Sequence, residues 1–216
     1  MILTLLSALL YGAMALHAPA HAADNEIEAI AQGCAGCHGE AGMPDDPKTV
    51  PIIWGQQRTY FIKQMRDYRT GDRASEVMLP IAQDFGPAES RKIAAYFAAK
   101  TWPERPAPKS ATAPPKGIEH CQSCHEAGFE GAMSGPRLAG LSYEVLLNSM
   151  NAFASGQRTN NEDMPKFMRA LTERERMAIA RYIAAVSPAR RAANAGTPAK
   201  PSERSTDVPA GDFVTE

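Results

Sequence analysis

The sequence predicts an all-α protein made of two tandem units, each a small helical bundle. No segment shows convincing strand alternation, whereas several segments repeat apolar residues at helical spacing. The chain also resembles itself, because residues 55–73 align without a gap with residues 140–158 at an offset of 85. Farther along, residues 93–97 match residues 179–183 at an offset of 86. This internal repeat indicates two homologous domains.

The first residues have the features of an export signal. Residues 2–16 form a largely apolar run, too short for a membrane-spanning helix, which needs about 20 residues. Ala20, His21 and Ala22 then fit the small-x-small cleavage pattern. We expect residues 1–22 to be a signal peptide cleaved near Ala22, and the mature chain to be periplasmic. No Lys or Arg precedes the run, so an uncleaved anchor is the alternative, and membrane association is expected only in that case.

The remaining chain divides by composition. The repeat places domain 1 at residues 24–103 and domain 2 at residues 117–187. Residues 104–116, between them, are rich in Pro and Ala, which is typical of a semi-rigid linker. Residues 188–216 have few large apolar side chains and are expected to be a disordered tail.

Helices are expected at matched places in the first domain. Asp24 or Asn25 is suited to cap a short helix that leads towards the first cysteine pair. Residues 58–70 carry an apolar helical stripe, formed by Tyr60, Phe61, Ile62, Met65 and Tyr68. Pro87 is suited to the first position of a helix that runs to about residue 100.

The second domain begins and ends with recognisable helix signals. Only residues 116–120 separate a proline pair from Cys121, so the helix before that cysteine is expected to be about one turn. At the other end, Thr172 and Glu175 have the spacing of a capping box, which predicts a helix to about residue 186.

The four cysteines form two C-x-x-C pairs, and each pair is followed directly by histidine. Cys34, Cys37 and His38 form the first motif, and the second consists of Cys121, Cys124 and His125. C-x-x-C-H is the attachment motif of c-type haem, because two thiols at this spacing reach the two vinyl groups of one porphyrin. The histidine that follows is then placed to ligate the iron. Two such motifs with no cysteine left over predict two covalently bound haem c groups.

Other uses of the cysteines fit less well. A thioredoxin-type dithiol needs a βαβ context, which the sequence does not show. A Cys-only zinc site needs its pairs close together, whereas these pairs lie 87 residues apart in separate repeats. Disulfides within C-x-x-C would close very small rings and stabilise little.

The second iron ligand of each haem is expected to be methionine, a soft ligand that favours Fe(II). Among the methionines of the two domains, only two pairs match in the repeat: Met65 with Met150, and Met78 with Met164. The first pair lies inside amphipathic helices, where methionine is usually core filler. We expect Met78 and Met164 to lie in loops and to ligate the irons. Met168 has no partner in the repeat and is the alternative for the second haem.

Neighbouring residues are expected to support these ligands. Pro51 and Pro136 follow the two histidines by 13 and 11 residues, and their carbonyl groups are candidates to accept the other imidazole N–H. Arg73 and Arg158 match in the repeat and are candidates to pair with haem propionates, with solvated helix-end arginines as the alternative.

Together these features resemble cytochrome c4, a family of periplasmic dihaem proteins with two class I cytochrome c domains. The resemblance rests on the two C-x-x-C-H units, the P-x-x-x-G-Q segment at residues 51–56, the Gly-x-Arg turn and the methionines, and it covers residues 24–187. It implies electron transfer through two low-spin His/Met haems, in domains related by a pseudo-twofold axis. It also implies periplasmic redox partners: a terminal oxidase, a cytochrome bc1-type donor or a dehydrogenase.

The second domain departs from the family pattern, because Gly140 is followed by Leu141 instead of Gln. This domain also resembles the second domain of the cytochrome subunit of flavocytochrome c sulfide dehydrogenase. Because of the departure at Leu141 and the short helix before Cys121, we expect the haem of this domain to be the less shielded one.

The expected function is single-electron transfer between redox partners, with no substrate conversion. The alternative is an electron-accepting subunit of a dehydrogenase complex, similar to flavocytochrome c sulfide dehydrogenase. A haem enzyme such as a peroxidase fits poorly, because only three histidines follow the signal peptide and two of them are used as ligands. Charges nearly cancel, with 23 Lys+Arg against 24 Asp+Glu, which argues against a nucleic-acid partner.

Overall fold

The computed structural model describes residues 20–104, 113–132 and 135–186, with side chains from residue 25 onward. Within these ranges the chain forms eight helices and no strand, and a single isolated bridge joins Ala132 and Gly135. The helices are α1 (Ala20–His38), α2 (Arg58–Thr70), α3 (Met78–Gln83), α4 (Pro87–Ala99), α5 (Ile118–His125), α6 (Tyr143–Ser155), α7 (Met164–Ala170) and α8 (Glu173–Ala185). The all-α prediction is confirmed.

The helices divide into two sets that pack in the same way. In the first set α2 packs on both α3 and α4, and in the second α6 packs on both α7 and α8. The predicted boundaries at residues 103 and 117 stay predictions, as does most of the linker, since residues 105–112 lie outside the described residues. The expected signal peptide, apart from the backbone of its last residues, and the expected tail also lie outside them.

Local sequence signals explain most of the helix ends. The helices α2 and α6 both stop at a glycine in the left-handed conformation, Gly71 (φ 82°) and Gly156 (φ 81°). Pro87 begins α4, as the sequence predicted. The capping box of α8 also forms: the Glu175 carboxylate accepts the Thr172 N–H at 2.7 Å, and the Thr172 hydroxyl accepts the Glu175 N–H at 3.3 Å.

The first helix of each domain carries its haem-attachment motif, but the two helices differ in length. The first, α1, begins at Ala20 and includes residues 24 and 25, so the predicted cap at Asp24 or Asn25 is wrong. The alanines around this point are strong helix formers, and they continue the helix past it. In contrast, α5 begins at Ile118 and has about one turn before Cys121, as expected from the nearby prolines.

Each domain has its own apolar core, but the second core includes residues of the first domain. In domain 1, Phe61 of α2 stacks on Phe97 of α4 with ring centroids 5.6 Å apart. In domain 2 the core surrounds Phe129, and Ile52 and Trp102 from domain 1 belong to this same buried cluster. The two domains are therefore packed together and not merely tethered by the linker. Among the described helices, none is long and apolar enough to cross a membrane.

Candidate haem sites

Both haem-attachment motifs lie on the last turns of the first helices of their domains. Cys34 and Cys37 are one helical turn apart near the end of α1, and Cys121 and Cys124 have the same arrangement on α5. Residues at this spacing share a helix face, so both thiols of a pair are directed to the same side. All four thiols are free of disulfides. Burial raises the pKa of Cys34 and of Cys121, the half-buried member of each pair.

The two histidines are oriented by the carbonyl groups that the sequence predicted. His38 Nδ1 donates to the Pro51 carbonyl at 2.8 Å, and His125 Nδ1 donates to the Pro136 carbonyl at 2.9 Å. This bond fixes the tautomer and leaves Nε2 available to a metal. Burial lowers the pKa of both histidines and outweighs the carbonyl bonds, which raise it. Each imidazole is therefore neutral at pH 7, as an iron ligand must be.

The backbone packs tightly around the second histidine. A Cβ at Gly135 would lie 2.6 Å from the Cys124 carbonyl oxygen and 3.1 Å from His125 Nδ1. The chain thus needs glycine where it returns to present the Pro136 carbonyl. His125 is 7% exposed, whereas His38 is half-buried. The histidine of domain 2 is thus the more buried one, although the sequence predicts the less shielded haem in that domain. The shielding of the haems themselves stays a prediction.

Met78 and Met164 occupy matched positions, but these positions are helix starts and not loops. Met78 is the first residue of α3, and its N–H donates to the Ser75 hydroxyl at 3.0 Å. Met164 is the first residue of α7, and its N–H donates to the Asn161 side-chain oxygen at 2.7 Å. A polar side chain three residues earlier thus accepts the N–H of the first residue of each short helix. Both methionines are half-buried.

The other methionines considered as ligands lie in apolar cores. Met65 and Met150 are buried on α2 and α6, in agreement with the core role expected for them. Met168, the alternative ligand of the second haem, is 3% exposed and belongs to the core of domain 2. This packing favours Met164 over Met168.

Arg73 and Arg158 fold back over their helices in the same way. The guanidinium carbon of Arg73 lies 4.6 Å from the centre of the Tyr68 ring, and that of Arg158 lies 4.3 Å from the centre of the Phe153 ring. Arg158 is 9% exposed, so the alternative of a solvated helix-end arginine is wrong for this residue. Whether either arginine pairs with a haem propionate stays a prediction.

Arg158 also reaches across the domain boundary, which the sequence did not predict. Its guanidinium donates to the Tyr60 hydroxyl at 3.2 Å and to the Gln64 side-chain oxygen at 3.1 Å, both on α2. Burial raises the pKa of Tyr60, but Arg158 and Arg73 lower it more, and the net pKa is below its usual range. One signal was present in the sequence: Gln64 interrupts the apolar stripe of α2 between Phe61 and Tyr68.

A second polar contact joins the domains at the start of α2. The Gln56 side chain accepts the Arg137 backbone N–H at 2.8 Å and donates to the Arg137 carbonyl at 3.1 Å. Gln57 adds bonds to the carbonyl groups of Glu130 (3.2 Å) and Gly131 (2.7 Å). The arginine that makes this contact directly follows Pro136, so the interface is adjacent to the carbonyl that orients His125.

These residues fit covalent haem c. In each domain two thiols that form no disulfide share a helix face, and an adjacent imidazole is oriented by a proline carbonyl. An all-helical chain with two such sites is a two-domain c-type cytochrome.

Comparisons with known proteins identify the family. A family model described as cytochrome c matches residues 118–187. A cytochrome c4 of Pseudomonas aeruginosa is 30% identical, covering 76% of this chain and 90% of that protein. A thiosulfate dehydrogenase electron acceptor of Stutzerimonas stutzeri is 32% identical, covering 72% of this chain and 80% of that protein. The chain therefore belongs to the cytochrome c4 family of dihaem c-type cytochromes.

A solved structure adds a further relation. A thiosulfate dehydrogenase of Marichromatium purpuratum is 29% identical with a TM-score of 0.61, and the match covers 72% of this chain and 36% of that one. Family membership establishes the cofactor and the general role: covalently bound haem c at Cys34/Cys37 and Cys121/Cys124, and electron transfer between redox partners.

Proposed function

We propose that this cytochrome is an exported electron carrier that exchanges single electrons through both haems and converts no substrate of its own. The observation that supports this proposal best is the matched pair of histidines, each oriented through Nδ1 by a proline carbonyl, with its pKa lowered by burial. An imidazole oriented in this way would present Nε2 to a bound iron without moving. Little rearrangement of the protein would then accompany electron transfer, as a carrier requires.

Each residue of the proposed sites has a distinct role. Cys34 and Cys37 hold the first haem covalently, and Cys121 and Cys124 hold the second. Bound haem supplies a one-electron Fe(III)/Fe(II) couple.

The remaining positions complete the iron coordination. His38 and His125 would each ligate an iron through Nε2. Met78 and Met164 would supply the second protein ligand, which would exclude small ligands such as dioxygen and leave no open position for catalysis.

Export is part of the proposal. C-type haem attachment to two C-x-x-C-H motifs suits an exported chain, and residues 1–22 have the composition of a signal peptide. The proposed location is the periplasm, with cleavage near Ala22. Domain 1 is proposed to span residues 24–103 and domain 2 residues 117–187.

A dehydrogenase is the electron donor that the comparisons favour. The relative from Stutzerimonas stutzeri is named an electron acceptor of thiosulfate dehydrogenase, and a similar segment lies within the thiosulfate dehydrogenase chain of Marichromatium purpuratum. The second candidate function is therefore a dedicated acceptor for a dehydrogenase of this kind. A terminal oxidase or another periplasmic cytochrome would then receive the electrons.

Purified proteins can distinguish the two roles. The oxidised dihaem protein is mixed with catalytic amounts of a thiosulfate dehydrogenase plus thiosulfate, and haem reduction is followed optically. Reduction of both haems in the presence of enzyme and substrate, and not with either alone, supports the acceptor role. If the enzyme does not reduce the haems but a bc1-type donor does, the general carrier is supported. No reduction by either donor contradicts the proposed function.

A further inference from the structure

A cluster of charged and polar side chains joins the two domains near the end of α2. We call Lys63, Asp67 and Asn160 the interdomain clamp. The Asp67 side chain is 1% exposed, and its carboxylate accepts the Asn160 amide N–H at 2.7 Å and the Lys63 ammonium group. Lys63 also donates to the Asn160 carbonyl, so the three residues form a closed set of bonds across the boundary.

The Asn160 side chain makes bonds to both domains. Its amide nitrogen also donates to the Gln64 side-chain oxygen at 3.1 Å, and its amide oxygen accepts from Arg158 Nε at 3.0 Å. One side chain of domain 2 is therefore tied to two positions on α2 and to the Gly-x-Arg turn that follows α6. This dense bonding fixes the position of Asn160 relative to α2.

The clamp is not a consequence of the repeat. The residues of domain 2 that match Lys63 and Asp67 at the offset of 85 are Asn148 and Ala152, which carry no charge. A buried carboxylate is costly unless it is paired and hydrogen-bonded. Lys63 and Arg66, on the same helix, supply the charge, but the partner at 2.7 Å comes from the other domain. Separation of the domains would therefore remove a charge-assisted bond from Asp67.

The clamp and the Gln56–Arg137 contact hold α2 at its two ends. Gln56 lies just before the start of α2 at Arg58, and Asp67 lies in its last turn before Thr70. A helix attached to the other domain at both ends cannot pivot about one contact alone. The two contacts therefore restrict the relative orientation of the two domains.

We propose that Asp67 and Asn160 are positioning residues that hold the two haem domains in one orientation and thereby set the rate of electron exchange between the haems. The rate part of this inference rests on the proposed electron-transfer function, whereas the orientation part does not. Neither residue is a proposed haem ligand, and both lie outside the attachment motifs.

Hydrogen exchange at two adjacent amides tests the orientation part. The Arg137 N–H donates across the boundary to Gln56, whereas the Leu138 N–H donates to the Phe129 carbonyl within domain 2 at 2.8 Å. Undocking of the domains exposes the first amide and leaves the second protected. The Arg137 contact lies at the opposite end of α2 from the clamp, so it reports domain separation and not a local change.

The full-length dihaem protein is compared with four single variants. Asn160→Ala and Asp67→Asn each remove the charge-assisted bond and are expected to accelerate Arg137 exchange about tenfold, with Leu138 unchanged. Asn148→Ala and Asp72→Asn replace an exposed asparagine and an exposed aspartate, and both are expected to leave the two amides at the wild-type rate. The double variant D67N/N160A is expected to exceed the faster single variant by less than threefold, because both substitutions break the same bond.

Two results of the hydrogen-exchange experiment would overturn the proposal. One is a wild-type rate of hydrogen exchange at Arg137 in both clamp variants. The other is equal acceleration at Arg137 and Leu138, which would mean that Asp67 and Asn160 act on the stability of domain 2 and not on its docking. The rate of electron exchange between the haems, measured after flash reduction, is expected to fall at least about fivefold in both clamp variants. If no electrons pass between the haems of the wild type, but hydrogen exchange behaves as expected, the proposed function is wrong. The inference that Asp67 and Asn160 hold the domains together is then retained.

Discussion

Gly135→Ala would place a methyl group where the structure leaves no room for one. The new Cβ would lie 2.6 Å from the Cys124 carbonyl oxygen, 0.8 Å short of the 3.4 Å at which ordinary contact begins. It would also lie 3.1 Å from His125 Nδ1, the atom that donates to the Pro136 carbonyl at 2.9 Å. The backbone at residue 135 must therefore move away from the helix that carries the haem-attachment motif.

The magnitude follows from these contacts. Overpacking of this kind costs about 1–3 kcal/mol. Loss of the His125–Pro136 hydrogen bond adds about 1 kcal/mol. We expect domain 2 to lose about 2–4 kcal/mol of unfolding free energy, with domain 1 unaffected. Because the displaced carbonyl no longer orients the imidazole, the reduction potential of the second haem is also expected to change.

Denaturant unfolding of the holoprotein, followed by circular dichroism and haem absorbance, measures this loss. Gly33→Ala is the control, because Gly33 lies inside α1, where a Cβ meets nothing within 4 Å. That substitution should be neutral or stabilising by up to about 1 kcal/mol, since alanine suits a helix better than glycine. A Gly135→Ala protein within about 0.5 kcal/mol of the wild type, with an unchanged second haem potential, would refute this reasoning.

Three further predictions concern the ligands, the interface and a helix cap. The variants Met78→Ala and Met164→Ala should each let one reduced haem bind carbon monoxide, so that the spectrum of half of the haem changes. Failure of carbon monoxide to bind in either variant would exclude these methionines as iron ligands. Burial raises the pKa of Asp67, but bonds from Lys63 and others outweigh it and hold the net pKa below its usual value. Its stabilising contribution is therefore complete above the unfolded-state pKa of about 3.9 and is lost as the pH falls below it. Acid titration of stability should show this loss in the wild type and less of it in Asp67→Asn. Thr172→Ala should lower stability by about 1 kcal/mol, because it removes the hydroxyl that caps α8, and an unchanged denaturation midpoint would contradict this.

Local signals made much of the fold and of the haem sites predictable. The ends of α2, α4 and α8 follow from Gly71, Pro87 and Thr172, which act on their own backbone neighbours. The Pro51 and Pro136 carbonyl groups could be assigned because the repeat places a proline 13 residues after His38 and 11 residues after His125. Both kinds of evidence lie close in sequence to the residues that they concern.

The contacts between the domains could not be predicted in this way. Gln56 and Arg137 are 81 residues apart, and neither belongs to a periodic pattern that indicates a partner. Trp102 lies just before the expected linker, and its side chain is buried in a core cluster with residues of domain 2. Such contacts depend on how two finished domains fit together. The interruption of the apolar stripe of α2 by Gln64 indicates a polar contact there, but it does not identify the partner in the other domain.

The optical spectrum of the reduced, periplasmically expressed protein, with and without carbon monoxide, tests the central claim most directly. The spectrum is normalised to haem per chain. The account predicts two c-type haems per chain and no change on addition of carbon monoxide, because His38 with Met78 and His125 with Met164 close both irons. Fewer than two haems per chain, or rapid carbon monoxide binding at either haem, would contradict it.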